Sequence, residues 1–353
     1  MRIAVTGATG NVGTALLRKV GAETDVVGLV RRPPALVGPY DRASWVSVDL
    51  ASDDSETTLA EVFSTVDAVV HLAVAFQPMR DRDYLERVNV GGTARVTRAC
   101  ATAGVTQLIH LSSGGIYAAG AYGVEVDEYW PRSGVPTSTY SMDKAAAELM
   151  LDEFGSAHPE VTVARLRPGL IGQYEFGSAI LRYALPDIVP SSVVDHLPVV
   201  PIDRTFTVPA VHSGDVADAV VRILDRRASG PFNLAAPTPV RAEDVADALG
   251  ARIVPTSHRI LSAAVRAGFA AHMLPVHHGW VDLAFATPLL DTARAQRELG
   301  WTPTVDGPEV LRETVRGMRE RAHAASPPMR KRTTADRVRS FGRRGFVSRG
   351  RPS

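Results

Sequence analysis

The chain has 353 residues, 45% of them hydrophobic, and a net charge of +1, which suits an ordinary enzyme able to bury a large core in one domain, with or without a smaller lobe. Its one cysteine, Cys100, excludes an internal disulfide and reads as a small core residue. Arg2 leads into a strand rather than a long apolar stretch, and no apolar run nears the roughly 18 to 20 residues of a membrane helix, so no leader or membrane span is expected and a cytoplasmic location is the default.

The first predicted element is a strand, Arg2–Thr6, that runs into glycines spaced by three, Gly7, Gly10 and Gly13, and then into a helical pattern from Thr14 to Val20. A strand ending at a helix N-terminus aims unpaired N–H groups and a positive dipole end at one spot, and glycine lets a pyrophosphate approach the backbone. The spacing therefore predicts a nucleotide-binding turn. Further strands are expected at Val26–Val30, Trp45–Val48, Ala68–Leu72, Gln107–Ser112 and Thr162–Arg167, each a compact aliphatic run of the kind a sheet covered on both faces requires. Amphipathic stretches at Thr58–Ser64, Asn89–Ala103 and Ser141–Phe154 lie between them. This order predicts a doubly wound parallel α/β sheet with its ligand at the carboxyl ends of the strands.

At the end of the fifth strand stand Ser112, Ser113 and Tyr117, where this architecture places active-site groups, and Tyr140 and Lys144 follow four residues apart at the start of a helix. That spacing puts phenol and ammonium on one helix face, where the charge favours the ionised phenol and fits it for acid/base work. Beyond Gly172 the regularity weakens, and the proline-rich segments 180–190 and 197–209 read as a substrate lobe. Its histidines His272, His277 and His278 lack a matching carboxylate or cysteine set, so no metal is expected, while Phe269, Leu274, Val276 and Trp280 suggest an apolar pocket wall. The last amphipathic stretch is Pro308–Arg319. From Ala324 onward nine Lys/Arg face one acid, Asp336, so this tail carries +8 and the remainder −7. Its composition predicts disorder, and a solvated tail is preferred over one that contacts nucleic acid, an anionic membrane or an acidic partner.

Several motifs occur together in a familiar order: Gly7, Gly10 and Gly13; His71-Leu72-Ala73; Asn89; Ser113 ahead of Tyr117; Tyr140 and Lys144; Arg167-Pro168-Gly169; and His212 to Asp218. In these the chain resembles the extended short-chain dehydrogenase/reductases, the NAD-dependent epimerase/dehydratase family, over about residues 1 to 320. The resemblance implies a Rossmann-type domain over 1–173 to which the chain returns at about 206–234 and a substrate lobe over 174–205 and 235–322; composition leaves 323–353 as a disordered basic tail. It implies Tyr140 as catalytic acid/base, Lys144 lowering its pKa and holding the nicotinamide ribose, Ser113 on the reacting oxygen, and Asn89 supporting the lysine or a relay water. Thr9, Gly10, Asn11 and Val12 would line the pyrophosphate, Asp49 and Leu50 would meet the adenine, and Leu72 and Ala73 would pass beneath the cofactor. Asp49 reads alternatively as a helix cap, His71 as a packed strand residue, and Glu128 as a surface carboxylate.

Cofactor choice turns on the end of the second strand, where Val30 takes the position of the carboxylate usual for NAD and Arg31 and Arg32 follow. An arginine fork suits a 2′-phosphate, so NADP is favoured and NAD is the alternative. Ser113-Gly114-Gly115 replaces the Thr-Asp-Glu of the family's sugar dehydratases, and Arg167 to Gln173 lacks the Asn-x-Tyr-Gly-Pro of many nucleotide-sugar epimerases. Carbonyl reduction or alcohol oxidation on a small-molecule substrate is the leading expectation. Sugar epimerization with retained NAD is second and a nonenzymatic NADP sensor third, with a homodimer left open.

Overall fold

The side chains of Ile3, Ala4 and Val5 are all fully buried, as a strand covered on both faces demands. In the computed structural model, which describes residues 1–76, 80–186 and 189–333, they belong to β1 (Arg2–Thr6) at the middle of a seven-stranded parallel sheet. The other strands are β2 (Asp25–Val30), β3 (Ala43–Ser47), β4 (Ala68–His71), β5 (Gln107–Leu111), β6 (Thr162–Pro168) and β7 (Gly230–Leu234). Their spatial order is β7-β6-β5-β4-β1-β2-β3, with Ile3 beside Val26 on one side and Ala68 on the other. The order reverses between β1 and β4, the point at which doubly wound sheets take their ligands, at the carboxyl ends of the strands.

Alternation along each strand divides the core in two. Ile3, Val5, Val70, Ile109 and Phe232 point to one face, where α1 (Asn11–Lys19) and the helix Ser213–Arg226 supply Leu16, Val220 and Ile223. Ala4, Leu29, Val69, Leu108 and Val163 point to the other, against Leu59 and Phe63 of α2 (Ser55–Phe63), Val96 and Cys100 of α3 (Arg82–Ala103), and Leu151 of α4 (Thr139–Ala157). Each fully buried Leu, Ile or Phe contributes about 1.5–3 kcal/mol over its exposed state. Cys100 is a core residue, and burial pushes its thiol well above the ordinary range.

Of the boundaries that differ from the sequence reading, three bear on what surrounds the site. α3 starts seven residues before Asn89 because Asp81 caps it, accepting from the Tyr84 N–H at 3.0 Å, a signal hidden in a charged stretch. α4 starts at Thr139 under a Ser138 cap. The third difference is at the C-terminus: the segment expected to be disordered from 323 packs on the body as far as 333. Met329 is fully buried in the α1-side core, and the Ser326 hydroxyl donates to the Thr9 carbonyl at 2.8 Å. Its few apolar residues suffice because the hydrogen bonds it makes are to fixed backbone carbonyls. The remainder of the expected tail, 334–353, lies outside the described residues. Among the described residues no helix is long and apolar enough to cross a membrane.

Candidate active site

The glycine turn is built by close contacts that only glycine permits. Gly7 has φ +70°, and a Cβ there would stand 2.7 Å from the Ala73 nitrogen; one on Gly13 would stand 2.5 Å from the Ala8 carbonyl. The turn thus rests on the Leu72–Ala73 backbone, with Leu72 N–H donating to Thr6 O at 3.1 Å and Ala73 N–H to Thr6 Oγ1 at 3.3 Å. α1 starts at Gly10 with no side-chain cap, and a Cβ on Gly10 would meet only the Gly7 carbonyl, at 3.3 Å. This is a cradle open to an anion, and it fits a dinucleotide pyrophosphate.

The residues around the cradle divide into those that face it and those used elsewhere. Val12 is buried on the inner side of α1 and Thr9 is held by the C-terminal segment. The Asn11 side chain turns to the segment after β6, donating to Ile171 O at 3.3 Å and accepting from Gln173 Nε2 at 2.6 Å. Leu50 is buried against Gly92 of α3, and the Asp49 carboxylate accepts from the Ala51 N–H at 2.9 Å, forming a local turn ahead of α2. Arg31, exposed at the end of β2, donates to the Tyr84 hydroxyl of α3. Burial lowers the pKa of Arg32, followed by the charges of Arg31 and Arg330.

Beyond the cradle, Ser113 follows β5, with its hydroxyl near enough to the Tyr140 phenol to favour the phenolate, and its oxygen accepts from the Gly115 N–H at 3.0 Å. Lys144, one turn beyond Tyr140 on α4, is buried and donates to the Leu111 carbonyl at 2.5 Å. Burial brings its pKa down to about 8. The expectation that Lys144 lowers the pKa of Tyr140 is not met here: burial raises the phenol, the Ser113 bond opposes this, and the ammonium is aimed at β5. Asn89 is likewise turned from the lysine. Its amide exchanges two bonds with the Ala75 backbone, at 2.8 and 3.1 Å, and donates to Asp143 at 3.0 Å.

Two features of this site lay beyond the sequence reading. Glu148, fully buried on α4, accepts from Ser112 Oγ at 2.6 Å, from Arg167 at 2.8 and 2.5 Å and from Arg132 at 3.0 Å. Burial opposes its charge, but the Arg167 and Ser112 bonds outweigh this and hold the carboxyl below its ordinary value. Its position four residues after Lys144 is the signal that could have found it. The second feature is aromatic: Phe76 and Trp280 stack on the Tyr140 ring, with centroids at 5.6 and 5.0 Å. Nothing in the sequence pairs Phe76 with Tyr140.

His71 is a packed strand residue, bonded to Thr6 at 2.7 Å and Thr93 at 3.2 Å, with burial bringing its pKa down to about 3. Glu128, read as a surface carboxylate, is instead buried and accepts the Asn233 N–H at 2.8 Å. Among the described residues no group of His, Cys, Asp or Glu is arranged to hold a metal ion.

The sequence pattern of the NAD dependent epimerase/dehydratase family matches residues 3–235. The first curated relatives are uncharacterized mycobacterial proteins, among them one from Mycobacterium tuberculosis H37Rv, 28% identical over 328 residues; the match takes in 91% of this chain but only 30% of that protein. A UDP-glucose 4-epimerase of Mycolicibacterium smegmatis is 28% identical over 340 residues, 91% of this chain and 100% of that protein. An L-arabinose 1-dehydrogenase (NAD(P)(+)) of Haloferax volcanii is 32% identical over 182 residues, 48% of this chain and 66% of that protein. Among solved structures, the Thermus thermophilus UDP-glucose 4-epimerase complex with NAD superposes with a TM-score of 0.67 at 22% identity, covering 90% of this chain and 99% of that one.

Proposed function

From the premise that the chain belongs to the NAD-dependent epimerase/dehydratase family, we propose that it is an NAD(P)-dependent oxidoreductase that interconverts a carbonyl and an alcohol at Tyr140. The observation that carries this reading is the placement of the Ser113 hydroxyl beside the Tyr140 phenol, with Lys144 buried one helical turn away at the carboxyl edge of β5. A dinucleotide bound on the Gly7–Gly13 cradle supplies or takes up the hydride. Tyr140, its pKa raised by burial, keeps its proton at neutral pH and donates it to the carbonyl oxygen, which Ser113 orients. Lys144 stays largely protonated below about pH 8 and, from its place at the Leu111 carbonyl, would hold the ribose hydroxyls of the bound dinucleotide. Arg31 favours NADP by meeting the 2′-phosphate, while NAD in the structural neighbour and NAD(P)(+) in the archaeal relative's name keep both cofactors in play.

Dehydration does not suit the site. A Cβ on Gly114 would stand 3.0 Å from Leu290 and one on Gly115 would stand 3.3 Å from Leu283, so apolar side chains fill the place where the dehydratases carry acids. Phe76 and Trp280 on the Tyr140 ring favour a flat apolar carbonyl over a sugar nucleotide. The second reading, nucleotide-sugar epimerization, rests on the mycobacterial epimerase matched over its full length. The purified protein is to be incubated with NADPH or NADH and a panel of aryl and alkyl ketones and aldehydes, alongside UDP-glucose. We expect one equivalent of reduced cofactor consumed per product, with Tyr140→Phe slower by at least about 10²-fold and cofactor binding retained. Conversion of UDP-glucose to its epimer with no net cofactor oxidation would overturn the reading.

A further inference from the structure

Asn89, expected to support Lys144 or a relay water, has its amide engaged elsewhere. Its Oδ1 accepts the Ala75 N–H at 2.8 Å, and its Nδ2 donates to the Ala75 carbonyl at 3.1 Å and to Asp143 Oδ2 at 3.0 Å. An amide nitrogen carries two N–H groups, so none is left for a relay water. The other Asp143 oxygen accepts from Arg82 Nη2 at the start of α3, at 3.2 Å, and the carboxylate is thus bonded on both oxygens. Asn89 and Asp143 are 7% and 3% exposed, so breaking the bond between them leaves buried polar atoms unpaired. What these bonds hold is the backbone of Ala75, four residues after the end of β4.

The next residue is Phe76, whose ring meets three others. Its centroid lies 5.6 Å from that of Tyr140 with the planes 17° apart, 6.0 Å from Trp280 and 6.1 Å from Tyr183. Trp280 also stacks on Tyr140, at 5.0 Å and 28°. Phe76, Tyr140 and Trp280 therefore touch pairwise, within the range where offset ring pairs attract. The contacts close a circuit: Tyr140 and Asp143 stand three residues apart on α4, Asp143 holds Asn89, Asn89 holds Ala75, and Ala75 delivers Phe76 back to Tyr140. With both backbone groups of the preceding residue bonded, Phe76 has little freedom to carry its ring elsewhere.

We propose that Asn89 and Asp143 are positioning residues that seat the Phe76 ring on Tyr140, and that Phe76 selects carbonyl substrates carrying a flat aromatic ring. This rests on the reading of Tyr140 as the proton donor and deepens it, because the substrate class is set by a ring whose place is fixed from α3 and α4. Asn89 then acts on selectivity and not on proton transfer.

The test uses the full chain as wild type, Phe76→Leu, Asn89→Ala, Asp143→Ala and Asp143→Asn. Reduction of naphthaldehyde is compared with that of propanal, with NADPH or NADH and with product measured by chromatography. Phe76→Leu and Asn89→Ala are each expected to lose about two- to ten-fold of the kcat/KM preference for naphthaldehyde, the worth of one aromatic contact, with the pH dependence of kcat unmoved. NMR spectra of protein carrying ring-labelled phenylalanine at its ten positions give a readout that needs no substrate. The Phe76 signals, identified by their absence from Phe76→Leu, are expected upfield in wild type under the ring currents of Tyr140 and Trp280. They are expected to lose that shift in Asn89→Ala and Asp143→Ala and to keep it in Asp143→Asn, which retains an acceptor for Asn89. Asp143→Ala leaves the Ala75 bonds in place and decides should Asn89→Ala not fold. Signals unmoved in the alanine variants overturn the positioning roles, and a preference kept by Phe76→Leu overturns the selection. A shifted pH profile in Asn89→Ala with the preference intact makes Asn89 a relay residue instead. If wild type reduces neither aldehyde, the selection and the reaction reading fail together, while the ring signals still decide whether Asn89 and Asp143 seat Phe76.

Discussion

Replacing Glu148 by Gln removes one negative charge from a site with no exposure and leaves Arg167, 1% exposed, without its main counter-ion. Two of the three bonded Arg167 nitrogens go to Glu148, at 2.8 and 2.5 Å; the third serves Tyr117 OH and the Glu128 carbonyl at 3.1 and 2.8 Å. Arg132 loses one of its two carboxylates and keeps Asp152 at 2.8 Å. Breaking one side of a buried ion pair costs about 3–5 kcal/mol, since the partner charge stays buried. With an unfolding entropy of roughly 2 cal/mol/K per residue, that corresponds to about 4–7 °C in Tm for a chain of this size. The folded Glu148 carboxyl lies below its ordinary value of 4.5, so its stabilisation is complete above that pH and is lost as the pH falls through the folded value. Differential scanning calorimetry of wild type and Glu148→Gln at neutral pH and at successively lower pH measures this directly. The gap in Tm should narrow in acid, and a double change of Glu148 and Arg167 to methionine should recover part of the loss. A neutral-pH gap under about 1 °C, or one that widens in acid, would refute the reasoning.

Lys144 is one of only three lysines, with Lys19 and Lys331, so NMR titration of 13Cε-lysine protein resolves it readily. Its midpoint should lie near pH 8 because burial disfavours the charged form, and a midpoint at the ordinary lysine value would show that the amine is solvated. A chain ending at His323 loses the burial of Met329 and the Ser326–Thr9 bond, together about 2–4 kcal/mol before the entropy regained by the freed end. Its Tm should fall by a few degrees in a fluorescence melt, and an unchanged Tm would mean that residues 324–333 are not docked in solution.

The strands were legible because each is a short aliphatic run buried on both faces, a requirement local enough to be written into consecutive residues. The glycine turn was legible for a related reason: Gly7 and Gly13 are forced by backbone contacts at 2.7 and 2.5 Å that no other residue survives. Tyr140 and Lys144 were found together because helical spacing places them on one face. The same spacing did not reveal that Lys144 would turn to the Leu111 carbonyl or Asn89 to Asp143, since those partners come from β5 and α4 and are set by packing. The largest departure was at the C-terminus. By composition, residues 323–333 carry too little apolar surface to order themselves, and locally that is correct. What orders them is a single methionine fitting a hole beside α1 and a set of carbonyls, on Thr9, Val189 and Pro186, positioned by distant parts of the chain. The sequence by itself determined the sheet, the cradle and the helical pairing of Tyr140 with Lys144, because each depends on neighbours in the chain. Only the tertiary structure decided what stacks on Tyr140, which charges surround Arg32 and how the C-terminal segment docks, because these depend on surfaces that exist only once the chain has folded.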